Sequence, residues 1–98
     1  MIDWDQLADR LSDYVEVLGQ AASETVTAQD RPRYSEHLAA AAVMFAAVHR
    51  RSLADLQLVV SGERRSFGWG YLSGDCGGKS ESAFHRLATL VESLYDAG

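Results

Sequence analysis

The sequence predicts a small α+β domain in which an antiparallel β-hairpin packs on helices, in the order α-α-β-β-α. Three observations support this. Apolar residues recur at helical spacing in three segments, and they alternate with polar residues between Asp55 and Leu72. A chain of 98 residues has room for one core, so a single domain is expected over residues 1–98. With 47% hydrophobic and 23% charged residues, the composition is typical of a folded protein rather than a disordered one.

The first predicted helix has two contrasting faces. Asp3 is suited to cap its N-terminus, with Gln6 completing a variant of the capping box. Apolar residues at helical spacing form one face: Trp4, Leu7, Leu11, Tyr14, Val15, Leu18 and Ala22. Acidic residues share the opposite face: Asp5, Asp9, Asp13 and Glu16. Like charges four residues apart weaken a helix by a few tenths of a kcal/mol. These residues form either a solvated helix surface or a docking face for a basic partner.

A second helix is predicted to begin near Asp30, which can cap it, and to end near Arg50. Between Glu36 and Arg50 no side chain carries a formal charge. One predicted face carries the larger side chains: Tyr34, Leu38, Ala41, Ala42, Phe45 and Val48. The opposite face carries mainly small side chains: Ala39, Ala40, Val43, Ala46 and Ala47. A helix that is apolar all round is expected to be buried all round. One side is then expected to pack within its own domain, and the small-residue side against another helix or a second subunit. Because a lone two-stranded hairpin is only marginally stable, we also expect a homodimer, formed through this helix or through hairpin edges.

The predicted hairpin turns at Gly62 and Glu63, in a type II′ turn with Gly62 at positive φ. This register places Leu56 and Leu58 opposite Trp69 and Phe67, so the apolar side chains share one face. Phe67, Trp69 and Tyr71 are then core residues, in preference to a stacking platform for bases or sugars. A third helix is expected from Ser80 to about Tyr95.

The loop from Ser73 to Ser80 ends in Gly-Lys-Ser, as phosphate-binding loops do, but the leading glycine of that motif is replaced by Ser73. The candidate anion-binding residues here are Gly77, Gly78, Lys79 and Ser80, since consecutive glycines before a helix can turn several amides toward one anion. Cys76 in the same loop is interpreted as an incidental cysteine. The three histidines show no metal-ligand spacing, so no metal or other cofactor is expected.

The formal net charge of −5 argues against general binding to a nucleic-acid backbone, which requires a surplus of Lys and Arg. The longest apolar run, residues 38–48, is too short to span a membrane, and the lone cysteine and acidic N-terminus favour the cytoplasm. We expect a non-enzymatic protein-binding module that docks on a basic partner and blocks or regulates it, as inhibitors, immunity proteins, antitoxins and anti-defence proteins do. The alternative is a small-ligand or phosphate-binding protein or enzyme that uses the Gly74–Ser80 loop.

Overall fold

The structure, a computed structural model, describes residues 2–24, 31–68 and 79–94. It contains four α-helices: α1 (Trp4–Glu24), α2 (Arg31–Arg50), α3 (Leu53–Gly68) and α4 (Lys79–Glu92). The predicted α+β class is therefore wrong, because no strand occurs in the described residues and the first predicted strand lies within α3. A dimer formed through hairpin edges is excluded with the hairpin. The three helices predicted from periodicity are present.

The hairpin prediction failed because a short apolar run fits two periods. Leu56, Leu58 and Val60 alternate as a strand would, but Leu58 is 74% exposed. The buried residues of α3 follow helical spacing instead: Leu53, Leu56, Val60 and Glu63. Gly62 was interpreted as a turn residue, whereas it lies inside α3 with nothing within 4 Å of the place where a Cβ would be. A glycine costs a helix only about 1 kcal/mol, so it does not end one.

The four helices form a bundle in which each helix packs on the next along the chain and α4 packs back on α1. All four contribute to a common core, whose largest fully buried side chains include Tyr14, Tyr34, Phe84 and Met44. The rings of Tyr14 and Phe84 pack at 58° with centroids 5.6 Å apart, which joins α1 to α4. The apolar face predicted for α1 is confirmed, since Leu7, Leu11, Tyr14 and Leu18 are all buried.

Within a single copy of the chain, helix α2 is buried on one side only, and the burial expected of its other side stays a prediction that depends on a second subunit. Its buried side consists of Tyr34, His37, Ala41, Met44 and Ala47. Phe45, placed on the buried face by the prediction, is 38% exposed, and Val43 is 53% exposed. Only part of each predicted face is therefore buried, because the true core side lies between them.

A tight connection joins α2 to α3. Arg51 adopts a φ of 57°, and its N–H donates to the Val48 carbonyl while the Ser52 N–H donates to the Ala47 carbonyl. These two bonds are those of a Schellman motif, which ends α2. Ser52 then caps α3, because its hydroxyl accepts a hydrogen bond from the Asp55 N–H at 3.4 Å. Two residues thus reverse the chain and fix α2 and α3 side by side.

Polar side chains also join α3 to α4. The Gln57 amide donates to the carbonyls of Val91 at 3.4 Å and Leu94 at 3.0 Å, at the C-terminal end of α4. Arg64 binds both carboxylate oxygens of Glu92, at 2.7 and 3.0 Å. Two-point contacts of this kind fix orientation as well as distance.

Candidate functional site

The acidic residues predicted for one face of α1 all lie on its solvent side. Asp5, Asp9, Asp13 and Glu16 are exposed, while the residues on the opposite side of the helix are buried. Asp3, which precedes them, accepts a hydrogen bond from the Gln6 N–H at 3.0 Å and caps α1 as predicted. We refer to Asp5, Asp9, Asp13 and Glu16 as the acidic face.

Little positive charge balances the acidic face. Arg10 approaches Asp13 at 4.0 Å, and both side chains are largely exposed. In the described part of the chain, Asp5, Asp9 and Glu16 have no ion pair. An exposed pair at this distance contributes little to stability. The face therefore presents a row of carboxylates to solvent with repulsion between neighbours left largely uncompensated.

An open groove of about 370 Å³ adjoins the N-terminal end of the acidic face. It is lined by two apolar residues, Ile2 and Trp4, by two acidic residues, Asp3 and Asp5, and by Arg51. Trp4 is partly exposed there. The groove joins the start of α1 to the connection between α2 and α3, and it adds an aromatic surface to the charges of the acidic face.

A second open groove, of about 490 Å³, is lined by residues of α1 and α4 and by Ser93. Its basic residues are Arg10, His85 and Arg86. His85 is already engaged, since Glu81 lies 3.5 Å from its Nε2 and Arg64 lies 3.4 Å from its Nδ1. The partner of His85 is thus an acid four residues earlier on the same helix.

Of the predicted anion-binding residues, Lys79 and Ser80 form the start of α4. Lys79 is exposed, but Ser80 is fully buried, so its side chain does not face solvent. Gly77, Gly78 and Cys76 lie outside the described residues. In the described part of the chain, no three His, Cys, Asp or Glu side chains are grouped to hold a metal ion.

The structure reveals a buried polar cluster that the sequence analysis missed. His37 Nδ1 lies 2.5 Å from Glu63 Oε2, and the Tyr14 hydroxyl lies 3.5 Å from the same oxygen. His37 is 4% exposed, Glu63 is 9% exposed and Tyr14 is fully buried. The cluster therefore links α1, α2 and α3 inside the core.

Two signals could have identified this cluster. Glu63 follows Leu53, Leu56 and Val60 at helical spacing, so a helical interpretation places a carboxyl on an apolar face. His37 likewise lies between Tyr34 and Ala41 on the buried side of α2. A buried carboxyl requires a hydrogen-bonding partner. In the predicted hairpin turn the Glu63 carboxyl faces solvent and requires no buried partner, so the cluster was not predicted.

Comparison with protein-family models, with curated proteins and with solved structures finds no match to this chain. None of the helices in the described ranges is both long enough and apolar enough to cross a membrane.

Proposed function

We propose that this protein is a small cytoplasmic binding module that docks through the acidic face of α1 onto a basic surface of a protein partner and thereby blocks or regulates that partner. The observation that carries the proposal is that Asp5, Asp9, Asp13 and Glu16 are all exposed, with Arg10 as the one cation paired with them in the described residues. Their mutual repulsion weakens α1, and a basic partner would relieve it.

The spacing of the acidic face defines the partner's chemistry. Asp5, Asp9 and Asp13 recur every four residues, so their carboxylates follow one another at about 6 Å along the helix. Lysine and arginine side chains at helical spacing, or from a basic loop, match such a row. Charge complementarity of this kind raises association rates and selects among partners.

The groove beside Trp4 supports the same proposal. A guanidinium or ammonium group entering it would lie beside Trp4, Asp3 and Asp5, and the two negative charges of these acids exceed the one positive charge of Arg51 in the same groove. Cations bind favourably over tryptophan rings, and partly buried aromatic residues are frequent anchors of protein interfaces. In this proposal the groove supplies affinity, while the rest of the acidic face supplies long-range attraction and orientation.

The test compares two variants with the same net charge. Asp9→Asn/Asp13→Asn removes two negative charges from the acidic face, and Glu81→Lys changes the net charge equally on α4. Each tagged protein is used for capture from a lysate of the native host. We expect a basic protein that the unmodified chain and Glu81→Lys retain and that the double variant loses. With the purified partner, the double variant should bind at least about tenfold more weakly, and added salt should weaken binding.

Equal binding of a purified partner to all three proteins would contradict docking through the acidic face. So would a captured partner whose binding is insensitive to salt, because exposed charges are screened within about 10 Å at 0.1 M salt. Circular dichroism of each variant checks that the helical fold is retained.

A further inference from the structure

The exposed side of α2 has an unusual composition for a solvent-facing surface. We define the outer α2 face as Glu36, Ala39, Ala42, Val43, Ala46 and Arg50, all of which are exposed. Val43 is 53% exposed, and the partly exposed Phe45 flanks the face. Between the two charged ends this face has no polar side chain, and the exposed His49 lies at its edge, next to Ala42 around the helix. Exposed helix surfaces normally carry polar residues, so this one is suited to packing against another apolar surface.

The residues of this face follow the spacing of a helix-packing seam. Glu36, Ala39, Val43, Ala46 and Arg50 are separated by three, four, three and four residues. This is the alternation by which one helix packs along another over two heptads. Alanine at two of the central positions allows two helix axes to approach closely, near the lower end of the usual range of about 8–10 Å.

The charges of the face are self-complementary about its centre. Val43 is seven residues from Glu36 and seven from Arg50. We propose that the outer α2 face binds a second copy of itself, with the two α2 helices antiparallel and a two-fold axis passing beside Val43. Each Glu36 then faces Arg50 of the other copy, while Ala39 and Ala46, four and three residues from Val43, lie near each other across the axis. A parallel pair would place like charges opposite each other.

Arg50 is already oriented in the single chain. Its Nη2 donates to Asp55 Oδ2 at 3.1 Å, across the connection between α2 and α3. A guanidinium has five N–H donors. Arg50 can therefore keep Asp55 and also bind Glu36 of the second copy, and the existing contact reduces the side-chain freedom lost on association. The contacts of one helix face are fewer than those of a standard interface of about 1,600 Å², so we expect a dimer that dissociates at micromolar concentrations.

The test is sedimentation equilibrium of the full chain over a concentration range from about 1 μM to 1 mM, chosen to bracket the expected dissociation constant. Val43→Arg places like charges together at the two-fold axis and should give a monomer throughout the range. Leu58→Arg is the matched control, because Leu58 is 74% exposed on α3 and lies outside the outer α2 face. It should dimerise as the unmodified chain does. Circular dichroism verifies that both variants fold.

A charge exchange tests the antiparallel arrangement. Glu36→Arg and Arg50→Glu should each weaken dimerisation about tenfold or more, and the double variant Glu36→Arg/Arg50→Glu should dimerise more tightly than Arg50→Glu alone, which shares its loss of the contact with Asp55. A chain that is monomeric at every concentration overturns the proposal and leaves the face to a different partner. A dimer that persists in Val43→Arg, or single charge variants that the double variant does not rescue, also overturns it. The outcome is independent of docking through the acidic face, which lies on α1.

Discussion

The conformation of Arg51 places a non-glycine residue where glycine is favoured. Its φ of 57° lies in the left-handed region, which costs a residue with a Cβ about 1–2 kcal/mol. Replacement by glycine removes that cost. It also makes the unfolded chain more flexible, which cancels about 0.4–1 kcal/mol of the gain in stability. We expect Arg51→Gly to raise the free energy of unfolding by about 0.5–1 kcal/mol, measured by urea denaturation at neutral pH.

Arg51→Ala is the control for this prediction. Alanine keeps the Cβ and hence the backbone strain, while it removes the guanidinium from the groove beside Trp4. It should therefore give no increase in stability. An equal increase in both variants would assign the effect to the side-chain charge and contradict the conformational explanation.

The Asp55 carboxyl, at the connection between α2 and α3, should make the stability of the protein depend on pH. Hydrogen bonding to the Arg50 guanidinium, and next to Ser52, holds the pKa of the Asp55 carboxyl below its usual value of 3.8. A carboxyl whose pKa is lower in the folded state stabilises the fold above its unfolded pKa and loses that contribution as the pH falls through the folded pKa. Asp55→Asn should therefore lower the urea midpoint near pH 7.

The difference between Asp55→Asn and the unmodified chain should shrink as the pH is lowered below about 4, where the unfolded carboxyl becomes protonated. Asp9→Asn is the matched control, because Asp9 is exposed and has no ion pair in the described ranges. That substitution removes a repulsive charge and should not destabilise the protein at pH 7. A pH-independent effect of Asp55→Asn would contradict the role assigned to its carboxylate.

The helices differed in how far the sequence could predict them. In α1 the apolar and acidic residues separate cleanly by helical period, and Asp3 marks the beginning, so both the helix and its acidic face were predictable. In α3 the alternation of Leu56, Leu58 and Val60 was compatible with either element. The signal that distinguishes them is Ser52, whose hydroxyl caps the helix by accepting a hydrogen bond from the Asp55 N–H. This cap favours a helix more strongly than the interior glycine favours a turn.

The outward side of α2 was less predictable, because composition does not distinguish between two apolar sides of one helix. Ala41 and Ala42 are chemically identical, yet Ala41 is buried and Ala42 is exposed. Which of them faces the core depends on where α1 and α3 pack, and a single sequence contains that information only through the whole bundle. The contact between His37 and Glu63 was unpredictable for the same reason, since it forms only when α2 and α3 are packed together.

At the scale of the whole molecule, the cluster of Tyr14, His37 and Glu63 connects three of the four helices through one carboxyl oxygen. An apolar core alone permits helices to shift along one another, whereas a buried hydrogen bond is satisfied in few arrangements. The cluster therefore favours one alignment of α1, α2 and α3. Its contribution to net stability is a separate quantity, because burying polar groups is itself costly.

Single and double substitutions separate the contribution of the cluster to net stability from its contribution to the alignment of the helices. Glu63→Leu leaves the His37 imidazole without this partner and should lower the free energy of unfolding by about 3 kcal/mol. His37→Leu should lower the free energy of unfolding by a similar amount, because the buried carboxyl of Glu63 then loses its contact with the imidazole. The double variant His37→Leu/Glu63→Leu removes both polar groups, so its loss should be well below the sum of the two single losses. Urea denaturation measures all three, and strictly additive losses would contradict a coupled pair. If the cluster specifies alignment, the double variant should also show poorer dispersion of its amide NMR signals than the unmodified chain, although its helical content is retained.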